Sequence, residues 1–299
     1  MFGFPYAVIK KYGDDEGGRH AALITYYGFL SLFPFLLLVT WSLSQILQDP
    51  ATREKVIAAI VPPEFADTID AAVRALPSSG IPLVIGIVGL LFSGLGVVFT
   101  AYQTLNHIAA VPHRKRLEFL PRYLRVVAML LLLIVGTAGI GFLTAAAGSI
   151  PGLSSVSRVA AYLGTVVLVF LLLWAATGLL LPGRSGIGAV WPAALVGGIV
   201  VAAVLTFGTA LLTRLVQRSG AVYGSFATIV GFFTLMYLVS QVLVYGGEVA
   251  MVRRRRLWPR ALDTMKPTDA DRRALALLAR EQERLRIERI GTRFDADPD

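Results

Sequence analysis

Six stretches of this chain are apolar for longer than a buried core helix requires: Ala21–Leu47, Ile81–Asn106, Val126–Gly148, Ala160–Leu181, Ile187–Leu212 and Ala221–Gly247. None contains an Asp, Glu, Lys or Arg. A helix rises about 1.5 Å per residue, so about 20 apolar residues cross the ~30 Å hydrocarbon core of a bilayer. Each stretch is long enough. The pattern predicts an all-α fold, a polytopic membrane bundle of six transmembrane helices. Around that membrane domain, residues 21–252, the polar positions gather into an N-terminal segment (1–20), a sizeable loop (49–80) and a tail (253–299). The first apolar run is too long and starts too late for a cleavable signal peptide.

Charge orients the bundle. With the N-terminus inside, the inner segments hold 22 of the 28 Lys and Arg, and the outer ones 6. Lys and Arg accumulate on the cytoplasmic side of membrane proteins, so both termini are expected there. The same bias accounts for a pI near 10 without nucleic acid. Charged residues make up only 16% of the chain and mean hydropathy is +0.68, which excludes an ordinary soluble domain. The absence of cysteine rules out disulfides, thiolate metal sites and cysteine nucleophiles.

The loop 49–80 reads as short amphipathic helices broken at Pro62-Pro63 and Pro77, capping the bundle or gating it. The tail opens with Arg253-Arg254-Arg255-Arg256 and Trp258, a basic juxtamembrane cluster with an aromatic anchor. Together with Arg114, Lys115 and Arg116 it forms the expected contact with anionic lipid headgroups. Thr268 and Asp271 have capping-box spacing and predict a solvated or membrane-skimming helix over about 268–290, followed by an acidic, disordered end at Asp295–Asp299.

Polar residues inside a span are costly unless they face protein or water, so they carry the functional signal. In the first span Tyr27, Ser31 and Pro34 share one stripe, beside Tyr26, and Pro34 removes a bond to the carbonyl of Leu30. This predicts a kinked polar seam facing the bundle interior, with the Ser31 hydroxyl or a water serving the freed carbonyl. The second span is glycine-rich, with Gly89 and Ser93 at close-packing spacing, and ends in Tyr102 and Asn106. The sixth begins with Tyr223 and Ser225 and ends in a stripe of Gln241, Tyr245 and Glu248. These residues form the expected substrate path. Glu248 is either ion-paired to Arg253–Arg256, bonded to Asn106, or a proton- or cation-coupling carboxylate.

Four pieces in order carry a resemblance: Ala21-Ala22 leading to Tyr26-Tyr27 and Ser31-Leu32-Phe33-Pro34; the Tyr102–Asn106 end of span two; Tyr223-Gly224-Ser225; and Tyr245-Gly246-Gly247-Glu248-Val249-Ala250. With the six-span hydropathy, the chain resembles the YihY/virulence factor BrkB family of bacterial inner-membrane proteins over about Gly13 to Val252, the tail beyond Pro259 lying outside. The resemblance implies a multi-pass protein of the bacterial cytoplasmic membrane, acting in transport or in the cell envelope, and supplies no catalytic residues. A ribonuclease label sometimes given to this family finds no support in the sequence. His20, His107 and His113 are separated, and no cluster of His and Asp ligands is present.

The sequence therefore points to a transporter or flippase for a lipid or amphipathic envelope component. No G-x-x-x-x-G-K-[ST] loop is present, so passage is not expected to be ATP-driven. The alternative is a structural scaffold binding partners through its tail. No enzyme activity, cofactor, metal or nucleic-acid partner is expected; membrane lipids are, and a homo-oligomer is compatible with these features.

Overall fold

The computed structural model describes residues 3–46, 49, 79–148, 154–180, 191, 194–204, 207–208, 220–263 and 266–294. The loop over 49–80 expected to cap or gate the bundle, the ends of the fifth span and the acidic Asp295–Asp299 segment lie largely or wholly outside them. Among the described residues the protein is helical, without strands: α1 (Gly3–Asp14), α2 (Gly17–Leu30), α3 (Leu32–Ile46), α4 (Ile81–Ile108), α5 (Phe119–Gly148), α6 (Ser154–Leu180), α7 (Ala194–Val204), α8 (Gly220–Arg255) and α9 (Asp269–Glu281). It is a helical membrane bundle. Five stretches are long and apolar enough to cross a bilayer, α2 and α3 counting together, and α7 stands where the fifth span was predicted. Their outer faces carry large apolar side chains in the open, such as Phe92 at 73% and Leu120 at 76% exposure, as lipid-facing surfaces do.

The chain divides into two compact units, Tyr26–Gly96 and the remainder, Met1–Thr25 with Val97–Asp299. In the smaller unit the first span is interrupted for one residue, Ser31, between α2 and α3 and within the turn before Pro34, where the missing bond to Leu30 was expected to distort it. Pro34 supplies no N–H to Leu30, and the Ser31 hydroxyl donates to Gly28 O at 2.6 Å instead of serving Leu30. Across from the break, the glycines of α4 make room. A Cβ on Gly89 would lie 2.9 Å from Pro34 Cβ, and one on Gly96 would lie 2.5 Å from the Tyr27 ring. The seam of Tyr27 and Pro34 is thus a helix–helix packing surface, as small residues in membrane helices allow.

In the larger unit α5 packs along α6, with Gly136 admitting Leu172, and Gly198 of α7 lies against the backbone of α6 at Val166 and Phe170. The N-terminal segment is a helix that the hydropathy pattern does not flag. One face of α1 buries Ala7, Val8 and Lys11, and it lies along α8. Glu16, in the left-handed region at φ 51°, turns the chain from α1 into α2.

The tail departs from expectation in two ways. Its helix opens with the predicted capping box, Thr268 and Asp271 bonding each other's backbone, but stops at Glu281 rather than near Ile290. The chain leaves the helix to bring Glu283 onto Arg114, whose own N–H donates to Glu283 O. Nor is α9 a solvated or membrane-skimming arm. Ala274 packs with Ala7, Val8, Val252 and Leu257 in one buried cluster, so the tail belongs to the larger unit.

Candidate functional site

At the basic end of the bundle, α1 crosses the polar stripe of α8 and matches it residue by residue. Tyr12 donates from its hydroxyl to Gln241 Oε1 at 2.5 Å. Its ring stacks on Tyr245 with centroids 4.2 Å apart and planes parallel within 1°. One residue back, Lys11 Nζ sits 2.8 Å from Glu248 and also bonds Asp15, one turn along. A third bond runs from Nζ to the carbonyl of Ile108 at the end of α4, 3.1 Å away. Exposure of the three charged side chains is 7% for Lys11, 1% for Asp15 and 0% for Glu248. An ion pair this deep is placed at a desolvation cost that the pairing only partly offsets.

The cluster is one ammonium against two carboxylates, each with an oxygen on the same Lys11 Nζ. Asp15 Oδ1 and Glu248 Oε1 are buried and find no donor. Burial drives the Asp15 carboxyl above its ordinary range, against the pull of Lys11. For Lys11 burial acts downward, but Glu248 and Asp15 outweigh it and hold the ammonium above the ordinary lysine value. Lys11 therefore stays charged across the physiological range. The partner of Glu248 is Lys11, and neither the Arg253–Arg256 cluster nor Asn106 fills that role. Those four arginines are exposed, as is Lys115.

Asn106 serves another purpose. Fully buried, it donates to Tyr102 O at 2.7 Å and Leu180 O at 3.3 Å, while Arg125 reaches Leu179 O. Together they satisfy carbonyls at the C-terminal end of α6 that the helix itself leaves without partners. Tyr102, 2% exposed, accepts the Leu117 N–H. Tyr26 is 56% exposed and so does not face the bundle interior. The side chains of Tyr223 and Ser225 lie outside the described residues. Gln241, Tyr245 and Glu248 converge on α1, whereas Tyr27, Ser31 and Pro34 belong to the smaller unit.

A second polar layer closes the same end. His107 Nδ1 and Arg116 donate to Glu281 at 2.9 and 2.5 Å, and Arg114 donates to Glu283 at 2.6 Å. Arg114 and Arg116, two of the residues expected to touch anionic headgroups, are thus occupied by the tail. The histidines are not isolated either: His20 and His107 have ring centroids 5.0 Å apart, with Thr104 bonded to His20. No trio of His, Cys, Asp or Glu among the described residues is arranged to hold a metal ion.

Sequence reasoning counted Lys11 only as a cytoplasmic charge and passed over Asp15 and Tyr12. A signal was present. Phe4, Ala7, Val8 and Lys11 fall on one helical face, and a lysine on an apolar face needs a buried anion.

The virulence factor BrkB family matches this chain over residues 8–271. The match runs beyond the 13–252 suggested by the motifs at both ends, taking in Lys11, Asp15, Glu248 and the capping box of α9, while Glu281 and Glu283 lie outside it. No curated protein matches the chain, and no solved structure does.

Proposed function

This chain belongs to the virulence factor BrkB family, and from that premise we propose that it is a transporter- or flippase-like protein of the bacterial cytoplasmic membrane, moving a lipid or amphipathic envelope component without direct use of ATP. The observation that carries this reading is the Lys11–Asp15–Glu248 cluster at the end of the α8 stripe. Ionisable side chains buried in a membrane bundle are rare, costly and usually tied to the passage of a substrate or ion. Stability alone gives little reason for them, since apolar residues of similar volume would hold α1 on α8 at least as well. The exposed arginines Arg253 to Arg256 at the same end suit the anionic headgroup of such a substrate.

The test is reconstitution into vesicles carrying a headgroup-labelled phospholipid, with transbilayer movement followed by quenching of the outer leaflet. Faster exchange than in protein-free vesicles is expected. Equal rates would favour the second reading, a scaffold without substrate passage. One observation speaks for that reading: beyond the docked helix, Leu285 and Ile287 stand 63% and 90% exposed beside Arg284, Arg286 and Arg289, a surface a protein partner would cover.

A further inference from the structure

The charges in the α1–α8 cluster do not balance. Lys11 brings one positive charge to two fully buried carboxylates, Asp15 and Glu248, which share its Nζ. Both have an oxygen with no donor. Leaving one net negative charge in a dry pocket is far costlier than neutralising it. Two carboxylates this close relieve the repulsion by holding a proton between them. The other charges around the pair bond elsewhere. On α4, His107 favours the ionised form of Asp15 but gives its ring nitrogen to Glu281; on α1, Asp14 is taken up by Arg260, and Tyr12 stacks on Tyr245. Toward α9 the neighbours are apolar, Ala274, Leu277 and Leu278.

A narrow cleft adjoins the cluster, lined by Lys11, Asp14 and Asp15 together with Ile108, Met251 and Leu257, with room for about one water molecule.

The geometry points to a proton-binding site formed jointly by Asp15 and Glu248, filled from the cleft beside α1, through which substrate passage is coupled to proton movement. The coupling rests on the transport reading above; the site itself does not. The proton comes from cleft water and is held between one oxygen of each carboxyl group. Lys11 keeps the second carboxylate ionised, so the site takes a single proton.

The test is infrared spectroscopy of the full-length protein in lipid nanodiscs at neutral pH. The expected result is the carbonyl stretch of a neutral carboxylic acid, one per chain, shifting on exchange into D2O and indifferent to added Na+. Both Glu248→Gln and Asp15→Asn should lose it, because the remaining carboxylate then pairs with Lys11 as an ion. Absence of the band from the natural protein, its removal by Na+, or its survival in both variants would overturn the proposal. If a variant does not fold, the D2O and Na+ responses of the natural protein still decide. The spectrum reads proton occupancy whether or not lipid moves, so a negative result here leaves the vesicle assay to judge transport separately.

Discussion

Lys11 Nζ lies 2.8 Å from the Glu248 carboxylate, joining a short N-terminal helix to the end of a membrane helix 237 positions later in the chain, where neither side chain meets solvent. Removing the lysine leaves the buried negative charge of the Asp15–Glu248 pair without a counter-charge. Lys11→Met is expected to destabilise the protein by about 3–5 kcal/mol, the usual penalty for breaking a buried pair from one side. Adding Glu248→Gln should restore part of that loss. Thermal unfolding in detergent of the two single variants and the double checks this. Strictly additive losses would mean that the two side chains are not energetically coupled.

Glycine positions in the membrane helices should divide by what faces them. Gly96→Ala puts a methyl 2.5 Å from the Tyr27 ring, an overpacking expected to cost about 1–3 kcal/mol. Gly13→Ala, which meets nothing within 4 Å in α1, should be neutral or mildly stabilising. Melting temperatures of the two variants provide the comparison; equal effects would contradict the packing described for Tyr27.

The docking of α9 should be lost in acid. The Asp271 carboxylate is buried, which opposes ionisation, yet it accepts bonds from the N–H groups of Ala261 and Thr268, the Thr268 hydroxyl, Arg260 and Lys10. These outweigh burial and hold its carboxyl well below the usual range. A carboxyl depressed in the folded state stabilises above its unfolded value, about 3.9, and that contribution drains away as pH falls further. Amide protection across Asp269–Glu281, corrected for the intrinsic pH dependence of exchange, should therefore fall below about pH 4, and Asp271→Asn should weaken it already at neutral pH. Protection that is flat from neutral pH into acid would be the contrary result.

Topology follows from the charge bias. A reporter fused after Gly80 should behave as external, and one fused near Pro121 as cytoplasmic. Reversed behaviour would move the Lys11 cluster to the outer face.

The membrane helices were legible because twenty uncharged residues in a row admit few other readings. The capping box of α9 was legible because Thr268 and Asp271 are three apart and act locally. What stayed hidden depends on contacts distant in sequence. Glu248 stood out as the acidic residue at the end of a polar stripe, but its partner lies on α1, too short and too polar to register as a span. Pro34 announced the distortion, which falls at Ser31 beside the Leu30 carbonyl, but not that the Ser31 hydroxyl would turn to Gly28 O. Arg114 and Arg116 read as lipid contacts until Glu283 and Glu281 were seen to occupy them. The tail's amphipathic pattern predicted a helix correctly and could not say which surface it covers.

Whether the buried cluster works in passage across the membrane decides the proposed function. The most direct measurement is transbilayer movement of a labelled phospholipid in vesicles containing the natural protein or Glu248→Gln, at matched incorporation and with folding verified. Gln keeps the size of the side chain and its capacity for hydrogen bonds while removing the charge it can gain or lose. The account predicts accelerated exchange with the natural protein and a return to the protein-free rate with Glu248→Gln. Equal exchange by the two proteins would contradict it.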